Sequence, residues 1–208
     1  DGSLQTGFRE RGFLPEALIN FLALLGWNPG TMHEIFSLEE MCQLFDIARI
    51  HHAGAKFDFE KCKWFNYQYV QKQSSAALAD ATMPVLASKG VNVERSYLEH
   101  ICGLVKERCT FMGDVWENAF FFFEAPKDYD FDAVRPKWND AKKAFFNEFI
   151  ERAKALETWD TQSIEVCFKG LAEELGIKVG EVQMPMRIML CGGKFGPPVF
   201  EIASTIGQ

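Results

Sequence analysis

The sequence predicts a mainly all-α protein, and three observations support this prediction. Apolar residues recur at helical spacing along most of the 208 residues. Proline and glycine stand where helices usually begin and end. No segment shows the strong alternation of apolar and polar residues that is typical of a half-buried strand. Residues 55–59 and the first dozen residues are the two places that could add a short strand.

The first helix is predicted from Pro15 to Gly26, because proline favours the first turn of a helix and glycine favours its end. Its apolar residues form one stripe, namely Leu14, Leu18, Phe21, Leu22 and Leu25. The sequence Asn-Pro-Gly at 28–30 predicts a turn. Residues 37–40, Ser-Leu-Glu-Glu, predict that the second helix begins with a capping box.

A third helix is predicted over 60–71, where Cys62, Phe65 and Tyr69 lie at helical spacing. The remaining predicted helices cover about 75–88, 92–107, 111–123, 136–156, 162–175, 180–190 and 198–206. The polar residues 71–75 and the acidic, irregular residues 126–132 separate groups of helices. We therefore predict three domains, of residues 1–72, 73–130 and 131–208.

Composition limits the possible function classes. Hydrophobic residues make up 48% and charged residues 25% of the chain, as is usual for a soluble globular protein. No apolar segment reaches the roughly 18–20 residues of a membrane span, and no secretory signal is visible. We therefore predict a cytoplasmic protein without a membrane segment. The net charge of −7 argues against general polyanion binding, although a local basic groove would still allow weak, salt-sensitive binding of RNA.

The cysteine and histidine residues do not indicate a metal or catalytic site. The six cysteines are scattered without a Cys-x-x-Cys pair, which predicts reduced, buried thiols. They are Cys42, Cys62, Cys102, Cys109, Cys167 and Cys191. His51 and His52 have no acidic or cysteine partner at ligand spacing, so we predict surface histidines and no bound metal. His100 and Cys102 share a predicted helix but face different ways.

Three separated segments form a more specific pattern. Asp-Gly-Ser at 1–3 is followed by Arg-Glu-Arg-Gly-Phe-Leu-Pro-Glu-Ala-Leu at 9–18. Residues 54–66 contain Gly-Ala-Lys-Phe-Asp and Lys-x-x-Trp-Phe-Asn. Residues 185–201 contain Pro-Met-Arg-Ile-Met-Leu-Cys-Gly and then Gly-Pro-Pro-Val-Phe-Glu. In this order, the segments resemble the part of bacterial-type glutamyl-tRNA synthetases that follows the ATP-binding loop.

The resemblance implies a small, mostly helical stem-contact region followed by helical-bundle or superhelical anticodon-binding domains. The parent would be a class I aminoacyl-tRNA synthetase that ligates glutamate to tRNA-Glu with ATP and Mg²⁺. Its catalytic residues are expected before Asp1, so this chain alone should bind tRNA-Glu without a cofactor, a metal or catalysis. A monomer is expected. The resemblance leaves open whether the parent also charges tRNA-Gln.

The resemblance also assigns anticodon contacts to six residues. They are Arg108, Lys169, Arg187, Gly196, Pro197 and Val199. Arg108 matches the arginine that accepts cytosine and rejects guanine at the third anticodon base. This role is chemically consistent, because a guanidinium only donates hydrogen bonds and cytosine offers two adjacent acceptors, O2 and N3. Guanine presents an N–H donor in the matching place.

The other matches imply different kinds of contact. Lys169 stands where the family often has an arginine, and a phosphate contact or a looser base contact is expected because lysine lacks a bidentate fork. Arg187 matches a second anticodon-contacting arginine. Gly196, Pro197 and Val199 match a stiff loop whose backbone and apolar surface pack against anticodon bases.

The same residues also have alternative interpretations in which they do not contact RNA. Arg108 would then extend from the end of an apolar helical face, Lys169 would be a solvated lysine, and 196–199 would be an ordinary helix-entry turn. A basic cluster would be a solvated face or a phosphate contact; it consists of Arg135, Lys137, Lys142 and Lys143. The alternative function is a helical protein-interaction module or ligand-binding protein that uses Phe120–Phe123, although such a run is more typical of a core.

Overall fold

The computed structural model describes residues 6–51 and 54–208. Eleven α-helices lie in these ranges. They are α1 (Pro15–Gly26), α2 (Leu38–Leu44), α3 (Phe59–Lys72), α4 (Ser75–Ser88), α5 (Arg95–Val105), α6 (Val115–Ala119), α7 (Phe131–Val134), α8 (Asp140–Lys154), α9 (Thr161–Glu174), α10 (Val179–Cys191) and α11 (Val199–Ile206). Five 3₁₀ turns accompany them, at Ile47–Arg49, Lys106–Arg108, Met112–Asp114, Phe120–Phe122 and Arg135–Lys137.

The all-α prediction is confirmed. No strand occurs within 6–51 and 54–208, where the only ladder-type contact is an isolated bridge between Trp27 and Ile50. The short strand considered at 55–59 is wrong, because residues 55–58 form an irregular approach to α3 and Phe59 begins this helix. The opening motif at 1–3 and His52 lie outside the described residues.

The caps read from the sequence are present. Pro15 begins α1, and Ser37 begins α2 with the predicted capping box, in which Ser37 Oγ accepts from the Glu40 backbone at 3.1 Å. The Glu40 carboxylate in turn accepts from the Ser37 backbone at 2.7 Å. At the predicted turn, Asn28 Oδ1 accepts a hydrogen bond from the Gly30 N–H at 2.7 Å.

Two predicted helices differ from the structure. The helix expected over 111–123 is a five-residue α6 between two 3₁₀ turns. Here the Asp114 carboxylate accepts from the backbone N–H groups of Thr110 and Phe111, both at 2.8 Å, and this local bonding competes with a regular helix. The helix expected from 136 begins at Asp140, because Asn139 caps α8 and Pro136 lies in a separate 3₁₀ turn.

The chain packs as two compact units. We call Asp1–Trp116 the N-terminal unit and Glu117–Gln208 the C-terminal unit. The finer division into residues 1–72, 73–130 and 131–208 stays a prediction.

Aromatic packing forms much of the N-terminal core. Phe13 meets Phe111 edge to face with ring centroids 5.0 Å apart, and Phe21 meets Phe65 at 5.6 Å. Phe65 is completely buried on α3, which packs against α1. Such ring pairs contribute about 0.5–1.5 kcal/mol beyond the burial of their area.

Two buried amides join elements of the N-terminal unit. Asn66 Oδ1 accepts from the Leu14 N–H at 2.7 Å, and Asn66 Nδ2 donates to the Thr110 carbonyl at 2.6 Å. Asn20 Oδ1 accepts from the Phe36 N–H at 2.9 Å. Both amide side chains are completely buried, so their hydrogen bonds fix how the chain enters α1 and how it passes α3.

In the C-terminal unit, α9 packs against α8, α10 and α11. Phe145 on α8 and Phe168 on α9 are completely buried and meet edge to face at 4.9 Å. Phe168 also meets Phe200 of α11 at 5.4 Å. α10 and α11, which carry several predicted site residues, therefore pack on the buried core of this unit.

The run Phe120–Phe123 belongs mainly to the core. Phe121 and Phe122 are buried, and Phe120 and Phe123 are half-buried. The preference for a core role is therefore confirmed, and the run offers little exposed surface for the alternative function.

The cysteines are all free thiols, but not all are buried. Cys62, Cys102, Cys109 and Cys191 are buried, whereas Cys42 is exposed. Within the described residues, no cluster of His, Cys, Asp and Glu side chains could hold a metal ion. None of the helices described above is long and apolar enough to cross a membrane.

The Asn66 amide provides a stability prediction. We expect Asn66→Ala to lower the free energy of unfolding by about 2 kcal/mol or more, since unpaired buried groups cost about 1–3 kcal/mol each. Asn92→Ala, at an exposed loop position in the same unit, is the control and should change stability by less than about 0.5 kcal/mol. Urea unfolding measures both, and equal stabilities would contradict the joining role of Asn66.

The buried thiols predict a loss of stability in alkali. Burial raises the pKa of Cys102 to about 11 and the pKa of Cys109 to about 12. Above about pH 8.5 the unfolded chain loses thiol protons that the folded chain keeps, so the free energy of unfolding falls as pH rises. Each thiol should account for a loss of about 1–2 kcal/mol between pH 8 and pH 10.

Urea unfolding at the two pH values tests this. Cys109→Ala should reduce the fall of the unfolding free energy between these pH values by about 1–2 kcal/mol. Cys42→Ala, at an exposed position, should leave it unchanged. If both variants show the pH dependence of the parent chain, the buried thiol at position 109 does not contribute as expected.

Candidate nucleic-acid interface

Arg108 stands at the end of the 3₁₀ turn Lys106–Arg108, after α5 has ended at Val105. Its side chain is exposed, and among the described residues it has no hydrogen bond or ion pair. The buried face of α5 ends with Ile101 and Val105. The alternative interpretation, in which Arg108 extends from the end of this helical face without binding RNA, stays open, because Arg108 lies in the 3₁₀ turn that directly follows α5.

Side chains of α3 hold the turn that carries Arg108. Gln71 Nε2 donates to the carbonyls of Lys106 and Cys109 at 2.9 and 3.3 Å. The Tyr67 hydroxyl donates to the Glu107 carbonyl at 3.3 Å. Asn66 holds the Thr110 carbonyl, as described above. The backbone on both sides of Arg108 is therefore fixed while its guanidinium points into solvent.

Arg187 on α10 holds the loop that follows this helix. Its Nη1 donates to the carbonyls of Phe195, Gly196 and Pro197 at 3.0, 3.2 and 2.6 Å. Its Nε and Nη2 donate to no described residue, so these two nitrogens keep free hydrogen-bond donors. Arg187 thus combines a structural role with remaining capacity to bind a ligand.

Two glycines allow this loop to pack closely. Gly192 ends α10 with φ +81°, and a Cβ there would lie 2.6 Å from the Asp128 carbonyl oxygen. Gly196 has φ +97°, and a Cβ there would lie 3.1 Å from the Phe121 ring. Both positions therefore need glycine for the backbone angle and for the close approach.

The loop side chains differ in their access to solvent. Val199 is 1% exposed and Pro197 is buried, so Val199 could meet RNA only through its backbone. Lys194, Phe195 and Pro198 are exposed instead. The sequence analysis did not single out Lys194 and Phe195, although both lie between the two matched motifs.

Lys169 is on the exposed side of α9, as predicted. Its Nζ lies 2.5 Å from Glu165 Oε1, one turn earlier on the same helix. Surface pairs of this kind contribute little to stability and open easily. A phosphate contact by Lys169 stays a prediction, and it would compete with Glu165.

The basic cluster is not a uniform solvated face. Lys142 is 4% exposed, donates to the Lys137 carbonyl and pairs with Glu181 at 3.2 Å. Arg135, Lys137 and Lys143 are exposed. The solvated interpretation is therefore wrong for Lys142, because its stem and ammonium are enclosed by α8, the preceding turn and α10.

The structure brings together Arg187, Gly196, Pro197 and Val199 around one loop of the C-terminal unit. Lys169 lies on α9 of the same unit, and Arg108 lies on a turn of the N-terminal unit. The base-contacting roles of the six residues stay predictions.

The loop contacts of Arg187 can be tested with a protease. We expect chymotrypsin to cleave after Phe195 at least about tenfold faster in Arg187→Met, because losing these hydrogen bonds should lower the free energy of local opening by about 1.4 kcal/mol or more. Arg152→Met is the matched control, since it removes exposed pairs with Glu148 and Glu174. Equal cleavage rates in both variants would contradict the loop-holding role.

Comparisons with known proteins identify the family of the chain. The family model described as "Anticodon binding domain" matches residues 77–208, and the model "tRNA synthetases class I (E and Q), catalytic domain" matches residues 3–64. The glutamate–tRNA ligase of Flavobacterium psychrophilum is 43% identical over 202 residues, which are 97% of this chain and 40% of that relative. That of Parabacteroides distasonis is 38% identical over 207 residues, or 100% of this chain and 41% of the relative.

Solved structures give the same result. A crystal structure of a glutamate tRNA ligase from Elizabethkingia meningosepticum, in complex with its amino acid, has a TM-score of 0.92 and 39% identity. The match covers 99% of this chain and 41% of that chain. The chain thus spans about two fifths of the length of the relatives it matches. Since the anticodon-binding model matches more than half of its residues, the chain belongs to the anticodon-binding-domain family and corresponds to a segment of glutamate–tRNA ligases.

Proposed function

We propose that this chain binds tRNA-Glu and reads its anticodon, as the tRNA-recognising segment of a glutamate–tRNA ligase. The observation that carries the proposal is Arg108, an exposed guanidinium without a polar partner among the described residues, on a turn fixed by α3. This position lies within the segment matched by the anticodon-binding family. Because the backbone of this turn is already fixed, only the Arg108 side chain has to become ordered when a base binds, which limits the entropy lost.

Arg108 would discriminate through donor and acceptor geometry. The bases of a single-stranded loop are unpaired, so their pairing edges are accessible. The guanidinium of Arg108 can donate to O2 and N3 of a cytosine at the third anticodon position. A guanine there would place its N–H donor against the guanidinium, and a buried donor without an acceptor is unfavourable.

Arg187 and its loop would form a second contact. The loop 195–197 is held by Arg187 Nη1, and the other nitrogens of the guanidinium can donate to a base or a phosphate. Lys169 would add a phosphate contact after opening its pair with Glu165. Arg187 and Lys169 would thus supply positive hydrogen-bond donors at the binding site, although the chain as a whole has a net charge of −7.

For the whole enzyme, we propose ligation of glutamate to tRNA-Glu with ATP and Mg²⁺. The residues that bind ATP and Mg²⁺ would lie outside this chain, which would bind tRNA without a cofactor and without catalysis. Such an enzyme would act in the cytoplasm, where bacterial translation takes place, and we expect it to be a monomer.

Binding of labelled tRNA-Glu, measured by fluorescence anisotropy at low salt, tests the proposal. We expect a C-to-G change at the third anticodon base to weaken binding at least about tenfold, or roughly 1.4 kcal/mol. Arg108→Gln should weaken binding of the original tRNA and remove the difference between the two tRNAs.

Arg9→Gln is the matched control, because Arg9 is also exposed in the N-terminal unit. It removes the same charge and should leave the difference between the two tRNAs intact. If the parent chain binds both tRNAs equally, or loses both at the same salt concentration, it does not read the third base and the assignment of Arg108 is wrong.

A further inference from the structure

A cavity of about 370 Å³ opens at the surface of the C-terminal unit. Ile188 and Met189 of α10 line one side of it, and the segment 129–138 lines the other. Its volume lies within the range of about 300–1,000 Å³ that is typical of small-molecule sites.

Three aromatic side chains of the segment 129–138 surround this cavity and remain exposed. The exposed fractions are 36% for Tyr129, 60% for Phe131 and 38% for Trp138. Large aromatic side chains usually bury most of their surface, so three exposed rings around one cavity indicate a surface that a ligand covers. A flat, aromatic ligand would stack against such rings.

Among the described residues, Arg135 is the one charged side chain that lines the cavity. It is exposed and has no hydrogen bond or ion pair with any described residue. The other two arginines of this unit, Arg152 and Arg187, donate to carboxylates or carbonyls. The Arg135 guanidinium is therefore free to bind a phosphate or the acceptor edge of a base.

Both sides of the cavity are anchored. The buried Lys142 ammonium binds the Lys137 carbonyl and lies 3.2 Å from Glu181 of α10, so it joins the aromatic segment to this helix. At the other end, the Asp130 N–H donates to the Gly192 carbonyl at 2.8 Å. A preformed site of this kind loses little conformational entropy when a ligand binds.

We infer that this cavity holds one unpaired nucleobase of the bound tRNA, stacked on the aromatic side chains, with Arg135 at its phosphate or acceptor edge. The inference rests on the proposed function and adds a contact to it. Aromatic rings with a nearby guanidinium are how proteins hold single-stranded bases. The link between Asp130 and Gly192 also connects the cavity with the turn that leads to the loop held by Arg187.

Phe131→Ala and Arg135→Gln test the inference in the whole chain, with labelled tRNA-Glu at low salt. We expect Phe131→Ala to weaken binding about five- to tenfold, within the range of about 5- to 150-fold that stacking of one base provides. Arg135→Gln should weaken binding by a similar factor. Phe45→Ala is the matched control, since Phe45 is 56% exposed in the other unit.

A set of tRNAs with one abasic nucleotide at each unpaired anticodon-loop position identifies the base. One abasic tRNA should bind the parent chain about five- to tenfold more weakly, and Phe131→Ala should not weaken its binding further. If the loss of affinity caused by each abasic nucleotide adds fully to the loss caused by Phe131→Ala, the inference is overturned. The inference is also overturned if Phe131→Ala and Arg135→Gln both bind tRNA with the affinity of the parent chain. If Arg108→Gln still weakens binding in that case, the proposed function stays intact.

If the parent chain binds no tRNA, the proposed function fails, and the cavity is tested alone with the four ribonucleoside 5′-monophosphates. Binding in the millimolar range should shift the methyl resonances of Ile188 and Met189, and Phe131→Ala should abolish these shifts. The absence of shifts at about 10 mM nucleotide would overturn the inference independently of tRNA binding.

Discussion

The carbonyl groups of the turns between helices need hydrogen-bond donors, and this constraint organises both units. Outside a helix, a carbonyl beside a packed core has no intrahelical partner and is costly to leave unpaired. Gln71 and Asn66 of α3 satisfy this need around Arg108, and Arg187 of α10 satisfies it in the loop 195–197. The same hydrogen bonds that satisfy the backbone therefore give the candidate RNA-binding turns one fixed shape.

Fixed turns are consistent with the proposed binding of a polyanion by an acidic chain. With a net charge of −7, the chain lacks the general positive field that drives non-specific binding. Under the proposed function, affinity would depend on a few guanidiniums carried by fixed turns, such as Arg108 and Arg135, which have no competing acidic partner among the described residues. Lys169 differs, because its pair with Glu165 must open first. We therefore expect this arrangement to provide selectivity for a base rather than high affinity.

Local signals explain which parts of the fold the sequence could predict. Pro15 and the Ser37 capping box identify the starts of α1 and α2, because their effects depend on neighbouring residues only. The break-up of 111–123 depends on the Asp114 carboxylate, and the burial of Lys142 depends on Glu181, which is far away in the sequence. The motifs located Arg187 and Gly196, but the aromatic cavity was not predicted because its two sides meet only through tertiary packing.

Under the proposed function, Arg187 would act on RNA by two routes. Its Nη1 fixes the loop carbonyls, while Nε and Nη2 keep donors for a ligand. A lysine at this position would keep the charge but could not divide its donors between loop and ligand in the same planar geometry. Weaker RNA binding by an Arg187 variant would therefore not identify Arg187 as a base contact by itself. Faster local opening of the loop would indicate that the variant acts through the shape of the site, and an unchanged loop would leave direct contact as the explanation.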